Sequence, residues 1–400
     1  MALVSPHRHL VTAAYLASAA FGAFWGTWGA AIPRVREQTG LDDARLGTAL
    51  LFISAGALPA MLLTGRALDR WGLRCTAPLM IALGGAGLAA AITANGLASL
   101  CAGLVVVGLA SGAADVAMNS VGGRAEQRTG RPIITRVGAV FSTAVVVSSL
   151  GTGAAFTIEA PTWLPFAAVL LFSVLAGAGI HRALPAGGPA PEPDAPSGTT
   201  GIRMPMIPLL LIGVLGALAF ASENAHQSWS AVFLEDALAT GPGLSAIAPA
   251  AFATVVAATR FAVSTLSPAH ARIVLILGSI VAAAGAVVIA RAPSVPVAIA
   301  GLVLAAAGTA ALFPTLLSIV SRNVVESSRG RATSIVTVVS YLGFLLGPVY
   351  VGLWASATSL RGAMIAVAAL GVALAALTVP LLAATRYALT PRPAAHQGVG

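Results

Sequence analysis

The chain contains no lysine, only two cysteines among its 400 residues, and just 9% charged side chains. Soluble domains carry about 25% charged residues, so this sequence cannot clothe a water-exposed surface. Its 22 basic residues are all arginine, against 13 acidic ones, for a net charge of +9. They are scattered over short segments between apolar runs. That excludes a nucleic-acid partner and suits orientation in a bilayer and attraction to anionic headgroups. The nucleotide-cradling pattern GxxxxGK[ST] is missing, as is any His/Cys/carboxylate cluster with metal spacing. No nucleophile–base pair stands out either. The sequence therefore predicts no ATP use, no cofactor, no metal and no enzyme activity. Cys75 and Cys101 fall at opposite membrane faces in the topology below, which leaves no intramolecular disulfide.

What the chain has in quantity is hydrocarbon: 58% hydrophobic residues and a mean hydropathy of +0.91. Runs of 18 or more apolar residues recur along it, each long enough to cross about 30 Å of bilayer. The alternating segments of about ten residues that mark a membrane β-barrel do not occur. The first run is too long for a signal-peptide core and has no small-residue cleavage site, so it is read as retained. Twelve spans are expected, near 10–32, 46–65, 75–93, 97–120, 135–157, 162–181, 206–234, 244–266, 270–290, 296–320, 331–355 and 360–385. Residues 183–205, ALPAGGPAPEPDAPSGTTGIRMP, hold six prolines and four glycines and read as a flexible linker. The predicted fold class is an all-α polytopic membrane protein with two pseudo-symmetric six-helix bundles. Residues 1–182 form the first, 183–205 the linker, and 206–400 the second with a short tail.

With the amino terminus inside, 17 arginines fall on cytoplasmic segments and five (Arg34, Arg36, Arg45, Arg291 and Arg361) outside. Both termini are therefore expected in the cytoplasm. Arg66 and Arg260 are counted among the 17, each at the cytoplasmic end of its span. The halves repeat weakly: FGAFWGTW (21–28) in the first span answers FASENAHQSW (220–229) in the seventh. Duplicated halves with a binding site between them are a transporter architecture.

The loop TGRALDRWGLR (64–74) between the second and third spans resembles the signature loop of the major facilitator superfamily. Gly65, Asp69, Arg70, Gly72 and Arg74 fall on its fixed positions. The two glycines suit a tight reversal. The resemblance implies that Asp69 faces the start of the eleventh span, near residues 331–334, and holds the halves closed on the cytoplasmic side. A helix amino terminus favours such an anion by about 0.3–1 kcal/mol. Residues 114–136, 223–236 and 341–352 resemble a bacterial branch of that superfamily which includes a membrane protein of rhizopine gene clusters. That branch is expected to carry a His after the arginine matching Arg136, where this chain has Val137.

Polar side chains inside the spans mark the candidate site. Glu223, Asn224, His226 and Gln227 interrupt the seventh span, although an ionisable residue costs about 2.5–3.5 kcal/mol at a helix centre. Spacings of three and four put Glu223, His226, Gln227 and Ser230 on one expected face, turned toward a watery cavity. A carboxyl there changes protonation as its access to water changes, and His226 titrates near neutrality. Interhelical hydrogen bonding is the competing structural explanation, at about 0.6 kcal/mol per pair. Asp115 and Asn119 pair on the fourth span, either as an inner gate with Arg124, Arg131 or Arg136 or simply reaching water. Trp25 is a cavity candidate, whereas Trp28 and Trp229 equally suit an interfacial belt. Phe313-Pro314 predicts a kink in the tenth span. Gly347 and Pro348, with Gly343 and Gly352, predict close packing and a kink in the eleventh. The fifth span lacks the Gly-Pro pair that the family's antiporters carry, and the fourth lacks the arginine of many proton-coupled members.

Together these observations predict a secondary transporter in the cytoplasmic membrane. It would be a monomer, moving a small organic solute by alternating access with protons as partner. A drug or metabolite efflux antiporter is the nearer alternative, and a transporter-like sensor without flux the farther one.

Overall fold

The structure, a computed structural model, describes residues 6–184, 206–263 and 268–387. Most of the expected linker therefore lies outside the described residues. Fourteen helices follow in order: α1 (Pro6–Thr39), α2 (Asp43–Trp71), α3 (Thr76–Thr93), α4 (Leu97–Thr129), α5 (Ile133–Thr157), α6 (Trp163–Ala183), α7 (Met206–Val232), α8 (Pro242–Ser245), α9 (Ile247–Val263), α10 (Ala271–Arg291), α11 (Val295–Thr309), α12 (Leu312–Asn323), α13 (Glu326–Ala357) and α14 (Leu360–Thr385). Among the described residues twelve segments are long and apolar enough to cross a membrane. The eighth span joins α8 to α9, and the tenth joins α11 to α12.

Local chemistry sets several boundaries. Asp42 caps α2 by accepting from the Arg45 amide at 2.8 Å, and Ser359 caps α14 by accepting from the Gly362 amide at 3.1 Å. These bonds satisfy amides that no helical carbonyl reaches. The signature loop turns at one glycine, not two. Gly72 has φ 77°, which L side chains rarely adopt, while Gly65 lies inside α2 with nothing near its missing Cβ. The tenth span breaks at residues 310–311, between α11 and α12. Pro314 has no N–H for the carbonyl four residues earlier, so the helix interrupts there as expected. Pro348, by contrast, sits within the unbroken α13.

Helices α1–α6 form one bundle and α7–α14 the other, and they meet through α2 against α13 and α5 against α8 and α9. Twelve spans place the start of α1 and the end of α14 on one side, here the terminal face. The bundles touch closely toward the far face. A Cβ on Gly47 would stand 2.7 Å from the Pro348 carbonyl, and one on Gly352 would collide with the Asp43 carbonyl. Polar contacts tie the same end. Arg36 pairs with Asp236 across the bundles and with Asp43 at 3.1 Å. Ser149 donates to the Ala246 carbonyl at 2.8 Å, and the Ala44 amide donates to Ser356 at 3.2 Å. Small residues at these crossings let backbones meet where lipid supplies no hydrophobic drive.

Within the second bundle α13 lies on α7. Gly343 abuts the Ala217 carbonyl, and Gly347 faces Ala221. A side chain at 343 meets backbone, which cannot swing aside as a side chain can. Gly343→Leu is expected to cost at least about 1–3 kcal/mol and to lower the detergent-solubilised melting temperature. The matched Gly85→Leu variant, in open space, should leave it unchanged. Equal melting curves for the two variants would refute the packing role of Gly343.

Candidate functional site: an inter-bundle chamber

Between the bundles lies a chamber of about 680 Å³, within the roughly 300–1,000 Å³ of small-molecule sites. Its walls come from α1, α2 and α5 on one side and α7, α9 and α13 on the other. It extends to Ile134, Thr135 and Arg136 at the start of α5 and to Phe261 near the end of α9, toward the terminal face. Toward the far face Gly29 comes against Pro249, with 3.2 Å between an added Cβ and the ring.

Trp25 and Trp28 line the chamber from α1, joined by Phe141, Phe252 and Phe344. Trp28 is 4% exposed and meets Phe166 edge-on at 6.3 Å, so it is no interfacial belt residue. Trp229 is not one either: it is wholly buried. Its placement reflects the inward turn of α7, which a hydropathy pattern does not disclose.

The polar wall comes from α7. Glu223, Asn224, Gln227 and Ser228 all line the chamber. At 3.6 residues per turn these four span an arc of about 140°. His226 and Ser230 fall outside that arc, so the expected common face with His226 is corrected. His226 lies inside the second bundle, 1% exposed, its Nδ1 bonded to the Ser222 carbonyl at 2.7 Å and its ring stacked on Phe252. Counting threes and fours finds neighbours along one stripe but not where the stripe's centre points.

Glu223 Oε1 accepts from Arg260 Nη2 at 2.9 Å. Arg260 belongs to α9 and also lines the chamber. Its Nε donates to the Ala310 carbonyl at 3.0 Å. That carbonyl is the one Pro314 cannot serve, four residues on. The same relation recurs next door. Pro348 leaves the Phe344 carbonyl without its helical donor, and Asn224 Nδ2 donates to it at 2.6 Å. Ser228 in turn donates to Asn224 Oδ1 at 3.1 Å. Two proline-freed carbonyls thus anchor the two residues that flank Glu223 in space.

Arg260 is the residue of the chamber wall that sequence reasoning misses. As one of many arginines near a helix end it reads as an orientation signal; the clue available is its weak repeat equivalence to Arg66 beneath an unpaired carboxyl. Asp115 and Asn119 are corrected in the other direction. They are not on the chamber wall, to which α4 contributes nothing. Asn119 Nδ2 donates to Asp115 Oδ1 at 3.1 Å and to the Asp115 carbonyl at 3.0 Å. Among the described residues Asp115 forms no ion pair with Arg124, Arg131 or Arg136.

The signature residues lie away from the chamber. Asp69 is exposed and, among the described residues, makes no hydrogen bond or ion pair. Arg70 stands over the Trp71 ring at 5.8 Å, and Arg74 Nε donates to the His181 carbonyl at 3.2 Å. The expected contact of Asp69 with the start of α13 is not made in this conformation, where α2 and α13 meet at their far-face halves.

Comparison with known proteins agrees with this architecture. The family model of the Major Facilitator Superfamily matches residues 212–399. An uncharacterized transporter of Sinorhizobium fredii is 28% identical over 369 residues, covering 90% of this chain and 93% of that protein. An uncharacterized MFS-type transporter of Yersinia pestis is 29% identical, covering 89% and 91%. The membrane protein MosC of Rhizobium meliloti is 27% identical, covering 90% and 86%. Among solved structures, an inward-facing bacterial homologue of the lysosomal transporter Spinster superposes with TM-score 0.76 at 17% identity, covering 97% of this chain and 100% of that one. The inward-open xylose transporter XylE of E. coli gives 0.71 at 14%, covering 93% and 96%. With its twelve spans among the described residues, paired bundles and signature loop, the chain is similar over most of its length to MFS-type membrane transporters, and its second half matches the family model of the Major Facilitator Superfamily.

Proposed function

We propose that this protein moves a small organic solute across the cytoplasmic membrane by alternating access, coupled to protons through Glu223. The observation that carries this reading is the Glu223–Arg260 pair inside a chamber walled by both bundles, tied shut at one face and extending toward the other. An intramembrane carboxylate is costly and persists where its charge state is put to use. Protonation of Glu223 would release Arg260, and deprotonation would recapture it. The arginine count supports a cytoplasmic terminal face, and on that orientation the present state would be inward-facing.

In the same reading, bundles 1–182 and 206–400 rock as units about the chamber of a monomer, joined by the linker 183–205. Closure of the cytoplasmic face would bring Asp69 of the signature loop to the start of α13, making the contact absent here. Arg36, bridging Asp236 and Asp43, would be the opposing latch. Efflux is the alternative direction for the same chamber.

Two measurements test this. In proteoliposomes, a panel of neutral, acidic and basic solutes should include at least one whose flux responds to an imposed ΔpH, and Glu223→Gln should abolish that response. Unchanged proton-dependent flux in the variant would remove Glu223 from coupling, and no flux of any solute would favour a sensor. Separately, Leu50→Cys in a background lacking Cys75 and Cys101 should react with a membrane-impermeant thiol reagent from the far side several-fold faster once Arg36→Ala is added. An unchanged rate would show that Arg36 latches nothing.

A further inference from the structure

We infer that the chamber's ligand carries an oxyanion, a carboxylate or phosphate on a small organic body, and that Arg260 is its docking group. This deepens the transport reading above and rests on it. The charges on the chamber wall are two cations, Arg136 and Arg260, against one anion, Glu223, a net +1. A cationic ligand finds one carboxylate already engaged by arginine. An anionic ligand finds guanidinium groups with donors to spare.

The geometry at Arg260 favours a planar, two-oxygen partner. A guanidinium has five N–H donors in a fixed fork. Here Nε is spent on the Ala310 carbonyl and one Nη2 hydrogen on Glu223. The remaining three have no partner among the described residues. Such a fork is built for bidentate capture of carboxylate or phosphate. Its anchoring end is held by a carbonyl that cannot return to its own helix, so the fork arrives oriented. The side chain is 47% exposed while Glu223 is 15% exposed, so the cation presents more of itself to the cavity than the carboxylate does. Arg136, at the terminal-face end of the chamber, makes no hydrogen bond or ion pair among the described residues and adds a second cation on the way in. Trp25, Trp28 and Phe344 supply flat apolar walls for the ligand's body.

Charge balance then links ligand and proton. A guanidinium half-exposed in a chamber between apolar walls is stabilised by a counter-charge beside it. Glu223 provides it when the chamber is empty, and the ligand's oxyanion provides it once Glu223 is protonated. The titratable group in contact with Glu223 is Arg260 of α9.

The test is a charge series on one ring, titrated by saturation-transfer NMR against the full-length protein in detergent: benzoate, phenyl phosphate, benzamide and benzylamine. Benzoate or phenyl phosphate is expected to bind about tenfold tighter than benzamide and benzylamine, as a charge-assisted pair implies. Which of the two wins distinguishes carboxylate from phosphate. Arg260→Gln should erase the preference and Arg260→Lys retain part of it. Glu223→Gln, which removes the competing carboxylate but keeps the fold's hydrogen bond, should tighten oxyanion binding several-fold. The inference is overturned if neither oxyanion binds at millimolar concentration, if benzamide or benzylamine binds as tightly, or if monodisperse Arg260→Gln keeps the preference. Weaker oxyanion binding by Glu223→Gln would overturn it as well, and that variant decides the question even where Arg260→Gln fails to fold. Oxyanion binding without flux in liposomes would instead overturn transport and leave the docking site standing. Flux of a neutral solute without oxyanion preference would do the reverse.

Discussion

A single guanidinium held between a carboxylate and a broken helix organises the centre of this molecule. In hydrocarbon neither a charge nor a freed carbonyl can look to water for a partner. Pro314 and Pro348 each create one such carbonyl, at Ala310 and Phe344, and Arg260 and Asn224 answer them. The helix defects and the polar cluster are therefore mutually dependent. Without the defects Arg260 and Asn224 would lose the acceptors that fix their orientation; without the side chains the defects would leave buried carbonyls bare. Glu223 occupies the gap between these two anchored groups and completes the neutralisation.

The far-face closure uses a different device, the near absence of side chains. Gly47 and Gly352 let α2 and α13 touch backbone to backbone, and the charges that reinforce the contact, Arg36 with Asp43 and Asp236, sit at the rim where water can still reach them. A contact made of van der Waals proximity and rim ion pairs is modest in energy. That is what the proposed alternating access would need of a gate, since a deeply favourable seal would hold one conformation permanently. The chamber lies between this closed rim and a terminal face where Asp69 stands unpaired.

Much of this was legible in the chain. Twelve spans, the break at Pro314 and the close packing of Gly343, Gly347 and Gly352 follow from apolar run lengths, from the missing proline donor and from small-residue spacing. Each is a local property. Glu223, Asn224, Gln227 and Trp25 stand out because polar or large aromatic side chains at mid-span are costly unless they face a cavity. What could not be read was direction. Periodicity says that His226 and Glu223 are near each other on α7, yet the chamber takes in only an arc that ends between them, and its edges are set by α9 and α13, distant in sequence. Asp115 shows the same limit, since α4 packs onto α2 and leaves the chamber to α1, α2 and α5. Arg260 is hidden by its own ordinariness, because positive-inside counting treats every arginine near a helix end as equivalent.

The weak internal repeat locates one difference between the halves: each adds one arginine to the chamber wall, but the carboxylate comes from the second alone. Aligning FGAFWGTW with FASENAHQSW at their leading phenylalanines sets Phe24 opposite Glu223. Phe24 is wholly buried in the first bundle, and that half places no carboxylate on the chamber wall. Arg66, the repeat counterpart of Arg260, lies exposed in the signature loop region. The first bundle holds Arg66 at the surface and contributes Trp25, Trp28 and Arg136 to the chamber wall. The second holds Arg260 on that wall, where the Glu223 carboxylate and the proline-freed Ala310 carbonyl bond it. The asymmetry of the chamber wall thus lies in its one carboxylate, which gives Arg260 a partner that Arg136 lacks among the described residues.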